Sequence, residues 1–263
     1  MYLSPIDGFA ARHAFLRLAA GLLALLAMAA IAQDAPYGRV RVTSDGIGKT
    51  YHGREIAQVM GWQGAAWLER DSRDRDERSD RLLRALRLEP GMDVADIGAG
   101  TGFYARRIAR RVMPDGKVHA VDVQPQMVAM LRKSAQQEGL DNLLPVQGTA
   151  IDPGLEPASI DLALMVDVYH ELEFPHEMLQ ATIHALRPGG RLVLVEYRAE
   201  DRGLDIKPLH KMSEKQIRRE VESAALRWER TASSLPLQHL VVFRKAGVGP
   251  VDSTARGDHD GVD

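Results

Sequence analysis

Short apolar runs alternate with longer amphipathic segments between residues 91 and 195. The apolar runs predict strands, and the run 160–166 (IDLALMV) is almost unbroken, as expected for a strand buried on both faces. The predicted strands are 93–97, 117–121, 143–146, 160–166 and 191–195, and the predicted helices are 101–112, 125–138 and 176–186. This alternation implies right-handed crossovers and a mostly parallel sheet in an α/β fold.

The alternation changes after residue 212. Residues 213–225 predict a helix that Ser213 caps, and residues 227–232 and 239–243 predict two more strands. Because the link 233–238 is too short for a crossover connection, these two strands should be antiparallel.

A separate segment precedes the sheet, and the pattern predicts that residues 51–88 are helical. Its apolar stretches, 65–68 and 82–88, flank a run at 69–81 that holds five Arg and six acidic residues. Such a run is typical of a solvated, salt-bridged helix face. The domains expected from the sequence are an extension at 33–88 and a sheet domain at 89–245.

Both ends of the chain are expected to lie outside the fold. Arg12, His13 and Arg17 precede an apolar run at 18–31, and small residues follow it. This layout predicts a secretory signal peptide at 1–32, cleaved after Ala32, and hence an exported or periplasmic protein. A cytoplasmic protein and an uncleaved membrane anchor are the alternatives, although the run is shorter than the ~20 residues that a transmembrane helix needs. The polar residues 246–263 predict a disordered tail.

Composition excludes several classes of protein. The chain has 263 residues, 45% of them hydrophobic, which is enough apolar material for a sizeable core. It has no cysteine, so disulfide frameworks and Cys-ligated zinc modules are excluded. A formal net charge of -2 provides no general attraction to nucleic acid or to anionic membranes. We therefore expect a small-molecule partner, no nucleic acid and no stable membrane span after leader cleavage.

The clearest chemical signal is a glycine-rich turn between the first strand and the first helix of the sheet domain. Gly98, Gly100 and Gly102 form a G-x-G-x-G pattern just after the strand-end acid Asp96. Glycines allow close approach of a ligand, and the helix N-terminus offers free N–H groups. Dinucleotide-binding proteins use G-x-G-x-x-G, but the sixth position of that pattern is Phe103 here.

The second strand ends in a further acid. Asp122 lies in the sequence AVDV, one helix and one strand after the glycine-rich turn. A carboxylate at this position can accept hydrogen bonds from both ribose hydroxyls of an adenosine. The pair of motifs therefore indicates an adenosine-containing cofactor.

Four segments carry a family resemblance: VADIGAGTGFYARRIA, VHAVDVQPQMV, SIDLALMVDVYHEL and ALRPGGRLVLVEY. Together they resemble class I S-adenosylmethionine-dependent methyltransferases, similar in style to the ubiquinone and menaquinone C-methyltransferases. The resemblance implies a Rossmann-like sheet of seven strands in the order 3-2-1-4-5-7-6, with the last strand antiparallel and the N-terminal segment forming a helical lid. It also implies S-adenosylmethionine as the cofactor and a small-molecule methyl acceptor.

The resemblance assigns the cofactor residues position by position. Asp96 and the glycine-rich turn would line the methionine end, Asp122 would hold the ribose, and Val123 would pack on the adenine. Many family members have G-D-A after the third strand where this chain has Gly148, Thr149 and Ala150, so Thr149, Ala150 or the nearby Asp152 would take over the adenine contact. The implied cofactor set is Asp96, Gly98, Ala99, Gly100, Gly102, Asp122, Val123, Thr149, Ala150 and Asp167.

Candidate catalytic residues follow the fourth and fifth strands, because open α/β sheets bind ligands at the carboxyl ends of their strands. Asp167, Tyr169 and His170 are the predicted catalytic residues, with His170 as the base if the acceptor must lose a proton. The alternative for Tyr169 is that it only packs in the core. The alternative for His170 is that it is a structural histidine. Further candidates are Glu196 after the fifth strand and the basic group Lys207, His210 and Lys211.

No metal site is expected from local sequence. His170 and Glu171 do not continue into H-E-x-x-H, since position 174 is Phe. In the extension, the residues expected to face a substrate are Tyr51, Arg54, Trp62 and Trp67. The alternative for the two tryptophans is that they anchor the helix on the sheet domain.

Two other functions remain open at this point. One is a nicotinamide-dependent oxidoreductase. Two features count against it: Phe103, which stands at the third glycine position of the dinucleotide-binding pattern, and the terminal strand pair. The other is a non-catalytic protein of the same fold that binds S-adenosylmethionine or a nucleoside. The predicted leader keeps the second alternative open, because S-adenosylmethionine is made in the cytoplasm.

Overall fold

The described chain begins with a small antiparallel sheet. A computed structural model describes residues 37–247, and its first strands are β1 (Tyr37–Arg39), β2 (Gly46–Tyr51) and β3 (Arg54–Ala57), in the order β1-β2-β3. Tyr51 pairs with Arg54 across a turn formed by His52 and Gly53, whose φ angles are 48° and 85°. Two positive φ angles are typical of a tight hairpin turn. The prediction of a helical extension is therefore wrong over this segment.

The rest of the extension is helical, in three short pieces. These are α1 (Ala65–Leu68), α2 (Arg73–Glu77) and α3 (Ser79–Ala85). The prediction of a solvated charged face is wrong for Arg73 and Glu77, which are both buried against the sheet domain. The side chains of Trp62 and Trp67 are 40% and 53% exposed, which disfavours the anchoring alternative for both.

The large sheet has the predicted order. Its strands are β4 (Val94–Ile97), β5 (Val118–Asp122), β6 (Leu143–Gln147), β7 (Ile160–Val166), β8 (Leu186–Arg198), β9 (Lys211–Met212), β10 (Arg227–Ala232) and β11 (Gln238–Arg244). The order β10-β11-β8-β7-β4-β5-β6 reproduces 3-2-1-4-5-7-6, and the short β9 adds to it by pairing with β8. Strand β11 is antiparallel to both of its neighbours, which confirms the expectation from the short link.

Helices cover the parallel part of the sheet. They are α4 (Phe103–Val112), α5 (Pro125–Glu138), α6 (Pro175–Ala185) and α7 (Glu214–Glu222). Helix α5 has the predicted bounds, because Pro125 suits the first turn and Gly139 ends the helix at φ 60°. Ser213 caps α7 as predicted, since its hydroxyl accepts a hydrogen bond from the backbone N–H of Gln216 at 3.1 Å.

Two apolar clusters pack on opposite faces of the sheet. Along β7, Leu162 and Leu164 belong to one cluster, whereas Ala163 and Met165 belong to the other. This alternation confirms that the strand is buried on both faces, and it explains why its sequence is continuously apolar. The carboxyl ends of β4, β5, β7 and β8 are therefore held rigidly at one edge. Within residues 37–247, no helix has the length and apolar character needed to cross a membrane.

Candidate active site

The glycine-rich turn joins the ends of β4 and β5. Gly98, Gly100 and Gly102 have φ angles of 72°, 57° and 89°, a region that side-chain-bearing residues rarely adopt. The backbone N–H groups of Gly98 and Ala99 donate to the carbonyl of Val121 at 2.8 and 2.9 Å. A Cβ atom on Gly98 would lie 2.5 Å from a methyl group of Val168. Glycine is therefore required both by the backbone conformation and by the close approach of the loop after β7.

Asp122 lies where the sequence predicts a ribose ligand. One carboxylate oxygen accepts a hydrogen bond from the backbone N–H of Gly100 at 2.9 Å, and the other accepts one from Gln124 at 2.9 Å. The side chain is buried at the end of β5, while that of the neighbouring Val123 is exposed. The carboxylate is thus fixed against the glycine-rich turn, and an apolar surface beside it is open for an adenine ring.

The turn after β6 uses its polar side chains internally. The hydroxyl of Thr149 accepts hydrogen bonds from the N–H groups of Asp152 and Ile151 at 3.0 and 3.3 Å. Asp152 in turn accepts one from the N–H of Gly154 at 2.8 Å. Thr149 and Ala150 are exposed, and their adenine contact stays a prediction. The exposed apolar side chain of Ile151, which sequence reasoning did not single out, lies in the same turn.

Three acids at this edge share an unusual electrostatic state. Burial raises the pKa of Asp96 to about 7, and burial also raises the pKa of Asp122. The pKa of Asp167 is raised well above its usual range by burial and then by the charges of Glu77 and Glu196. A positively charged ligand would favour the ionised form of all three. The site can therefore hold a cationic ligand.

Asp167 shows further signs of a functional position. Its backbone has a φ of 53°, which costs energy for any residue other than glycine. One carboxylate oxygen accepts a hydrogen bond from Gln238 at 3.2 Å. The other oxygen is buried and accepts no hydrogen bond from the described part of the chain, which is uncommon for a buried polar atom.

His170 is buried and held by a carboxylate. Its Nδ1 lies 2.5 Å from one oxygen of Glu196, and the other oxygen accepts a hydrogen bond from the backbone N–H of Tyr169 at 2.8 Å. Because a carboxylate can only accept, the proton of a neutral His170 ring lies on Nδ1, and Nε2 then presents a lone pair. The imidazole is therefore oriented, as a base or a ligand would need to be.

The lone pair of His170 faces two other side chains. Its Nε2 is 3.1 Å from Nδ1 of His210 and 3.8 Å from an oxygen of Glu171. Nδ1 of His210 lies 3.4 Å from the same oxygen of Glu171. The sequence offered both histidines as candidates but did not bring them together. No local motif could have done so, because His210 lies on the 3-10 turn Pro208–His210, far along the chain from His170.

Three other candidates have packing or supporting contacts instead. Tyr169 is fully buried in the cluster on one face of the sheet, which favours the packing alternative. Arg54 forms a bidentate ion pair with the buried Glu220 at 2.8 and 2.9 Å. It also donates to the backbone carbonyl of His170 at 3.1 Å. Arg54 therefore braces the turn that carries His170, while Tyr51 is buried beside it.

The extension closes over the glycine-rich turn. The hydroxyl of Thr101 donates to Glu69 at 2.5 Å, and a methyl group of Leu68 lies 2.6 Å from the position of a Cβ atom on Gly100. The buried Glu77 accepts from Arg73 at 3.0 Å and from Tyr104 at 3.2 Å. Sequence reasoning missed Glu77, because nothing within a run of charges distinguishes a buried member from its solvated neighbours.

The chain matches a family model described as a methyltransferase domain over residues 88–236, more than half of its length. It is 31% identical over 116 residues to the ubiquinone/menaquinone biosynthesis C-methyltransferase UbiE of Laribacter hongkongensis, covering 44% of this chain and 47% of that protein. It is 32% identical over 116 residues to the nocamycin O-methyltransferase of Saccharothrix syringae, covering 43% and 41%. The aligned segment thus spans less than half the length of these curated relatives.

A solved structure covers more of the fold. A crystal structure of a SAM-dependent methyltransferase from Aquifex aeolicus is similar with a TM-score of 0.67 and 25% sequence identity, over 71% of this chain and 99% of the other. The similarity agrees with the observed strand order and with the antiparallel β11. Both comparisons disfavour the nicotinamide alternative.

Proposed function

The chain belongs to the methyltransferase domain family, has the class I fold and shares that family's cofactor, S-adenosylmethionine, and we propose that it transfers a methyl group to a small-molecule acceptor. The observation that carries the proposal is the placement of three acids, Asp96, Asp122 and Asp167, at the carboxyl ends of β4, β5 and β7, beside the glycine-rich turn. The cofactor carries a sulfonium and an ammonium group, so its charge matches this site.

Each part of the edge has a defined task in this proposal. Asp122 and Val123 hold the adenosine, while Asp96 and the glycine-rich turn hold the methionine end. Asp167, with its free carboxylate oxygen, faces the charged centre between them. When bound, S-adenosylmethionine supplies a methyl group that is activated by its positively charged sulfur. The remaining work of the protein is to align the acceptor and to exclude water, and alignment alone is worth ~7–11 kcal/mol.

The acceptor is bound, in this proposal, beside His170, Glu171 and His210. The side chains here would hold the acceptor in line with the methyl group that a bound cofactor supplies, and any proton that the acceptor loses would pass to solvent. The two relatives named above methylate carbon and oxygen respectively by their names. The acceptor atom of this chain is therefore left open, and His170 is the side chain we expect closest to it.

Calorimetry with the purified full chain tests the cofactor. We expect saturable binding of S-adenosylmethionine and no binding of NADH. Asp122→Ala should weaken binding strongly, because it removes the carboxylate that Gly100 and Gln124 hold in place. Asp141→Ala, at an exposed aspartate in a loop, is the matched control and should bind normally.

Turnover tests the second half of the proposal. Release of S-adenosylhomocysteine should increase when small-molecule acceptors are supplied to the full chain. A chain that fails to bind S-adenosylmethionine would contradict the proposal. A chain that binds it but releases no S-adenosylhomocysteine with any acceptor class would favour the non-catalytic alternative.

A further inference from the structure

We propose that His170, Glu171 and His210 bind one divalent transition-metal ion at the acceptor side of the active site. The ligand atoms are Nε2 of His170, Nδ1 of His210 and a carboxylate oxygen of Glu171. The sequence predicted no metal at His170 and Glu171 because no second histidine follows on the same helix. The fold supplies that histidine from the turn before β9.

The distances fit a single ion. The three ligand atoms lie 3.1, 3.4 and 3.8 Å from one another. Two atoms bonded to one ion at about 2.1 Å are about 3.0 Å apart at a right angle and about 3.4 Å apart at a tetrahedral angle. The three separations therefore fall near the edges of a coordination polyhedron, and only small movements are needed to close it.

The surroundings of His170 are those of a metal ligand. Glu196 is fully buried and lies 2.5 Å from Nδ1 of His170, on the side of the ring away from His210. A carboxylate that accepts from the second ring nitrogen fixes the tautomer and makes the first nitrogen a better ligand. The backbone carbonyl of His170 is also held by Arg54 at 3.1 Å, so the ring has little freedom to turn away.

A hydrogen-bonded chain explains the cluster less well. Nδ1 of His210 lies 3.1 Å from Nε2 of His170 and 3.4 Å from the carboxylate of Glu171, and a single proton could serve both only as a weaker, bifurcated hydrogen bond. A cation at the centre satisfies all three lone pairs at once. Glu171 is held for this role, since its Oε1 atom accepts a hydrogen bond from the backbone N–H of Met60 at 3.2 Å.

Exposure and donor type narrow the class of ion. The side chains of His170, Glu171 and His210 are 2%, 13% and 19% exposed, so the cluster has one buried ligand and two that leave room for entry and for a further ligand. Two imidazoles and one carboxylate without a thiolate suit Zn²⁺, Fe²⁺ or a similar ion. Mg²⁺ and Ca²⁺ prefer oxygen ligands and should bind poorly.

The role of the ion rests on the proposed function. An oxygen, nitrogen or sulfur of the acceptor that occupies the open coordination position would lose its proton more readily and would be oriented toward the cofactor. Met60 donates to Glu171 and its carbonyl accepts from Gln124, whose backbone N–H donates to Asp122, so a short chain of hydrogen bonds links the cluster to the ribose position.

Metal binding is measured without cofactor or acceptor, so its outcome is separate from that of the proposed function. The full chain is treated with a chelator, dialysed and titrated with Zn²⁺ by calorimetry and with Co²⁺ by absorption spectroscopy. We expect one equivalent of each ion per chain, and no competition from Mg²⁺. The Co²⁺ spectrum should show nitrogen and oxygen ligation in a site of low coordination number.

Variants connect the ion to the three side chains. His210→Ala and Glu171→Gln should abolish saturable binding, and Glu196→Gln should weaken it by about 10–100-fold. His239→Gln is the matched control, because His239 also pairs with a glutamate, Glu200, at 2.8 Å but belongs to no group of three possible metal ligands within residues 37–247. Thermal unfolding of each variant checks that the fold is retained.

Two results would overturn the metal site: no stoichiometric binding by the wild-type chain, or binding that His210→Ala and Glu171→Gln leave unchanged. If the proposed function is right, the metal-free chain should still bind S-adenosylmethionine in either case. Conversely, metal binding by a chain that does not bind S-adenosylmethionine would contradict the proposed function and retain the site.

Discussion

Replacing Asp96 by Asn should stabilise the ligand-free protein and weaken cofactor binding at the same time. Asp96 is buried at the end of β4, and burial raises its pKa from the ordinary 3.8 to about 7, although Arg73 and a hydrogen bond from Ala105 act in the opposite direction. At 1.36 kcal/mol per pKa unit, this rise corresponds to about 4 kcal/mol. The asparagine retains the shape of the protonated acid and cannot ionise.

The sign of the pH effect follows from linkage. When the pKa of a carboxyl is higher in the folded state than in the unfolded state, the folded protein becomes less stable as the pH rises from the unfolded-state pKa to the folded-state pKa. For Asp96 the loss should develop between about pH 4 and pH 7 and remain above it. Urea denaturation of the ligand-free chain should therefore show Asp96→Asn gaining up to about 4 kcal/mol over wild type at pH 8, with little difference near pH 4.

Cofactor binding should respond in the opposite direction. The ionised Asp96 attracts the cationic cofactor, and a hydrogen bond to a charged group is worth about 1.5–3 kcal/mol, or roughly tenfold to a hundredfold in Kd. The affinity of the wild-type chain for S-adenosylmethionine should increase as the pH rises through about 7. Binding of the cofactor near pH 6 should release a proton to the buffer. The variant should bind more weakly at every pH above 7 and release no proton through this group.

Asp141→Asn controls for the loss of one negative charge at an exposed position. A variant at Asp96 that is less stable than wild type at pH 8 would refute the reasoning from burial. Unchanged affinity for S-adenosylmethionine would refute the assignment of this acid to the cofactor.

Two other predictions concern the extension and the leader. Glu77→Gln leaves the buried Arg73 without its ion pair, so the free energy of unfolding in urea should fall by about 3–5 kcal/mol. The control Asp80→Asn, at an exposed aspartate, should have a much smaller effect. Equal effects of the two variants would contradict a role of Glu77 in anchoring the extension. N-terminal sequencing of the protein from its native cells should give Gln33 as the first residue if the predicted leader is cleaved after Ala32, whereas a sequence that starts at Met1 would contradict cleavage.

The sheet domain was predictable because its signals are local. Helix α5 is bounded by Pro125 and Gly139, whose backbone preferences set its two ends. The antiparallel β11 followed from the length of one link, which is also a local quantity. The glycine-rich turn and Asp122 could be paired in advance, because parallel strands joined by a helix bring their carboxyl ends together.

The extension was harder to predict, although one signal was present. The dipeptide His52-Gly53 separates two runs that can form strands, and such a two-residue link favours a hairpin. The positive φ of His52 is uncommon for a residue with a side chain, so the signal was weaker than that of Asn-Gly. Contacts between distant segments, such as that of His170 with His210, have no counterpart in any local pattern.

The segment at residues 60–62 links the two halves of the active site. The backbone N–H of Met60 donates to Glu171, and its carbonyl accepts a hydrogen bond from the side chain of Gln124 at 3.0 Å. The N–H of Trp62 donates to Gln124 at 2.7 Å, and the N–H of Gln124 donates to Asp122. One stretch of the extension therefore contacts both the ribose position and the proposed metal cluster.

We expect this arrangement to affect which acceptor the chain binds. The family match covers residues 88–236 and so includes the cofactor-binding turns, but it excludes the hairpin and the helices before them. Arg54, Met60 and Glu69 lie outside the match, yet they hold the His170 turn, Glu171 and the glycine-rich turn respectively. The match thus includes the cofactor-binding turns, while contacts from residues before the match support the proposed acceptor side of the site. Acceptor screening should accordingly use the chain with its extension intact, because a fragment cut at residue 88 would lose these three contacts.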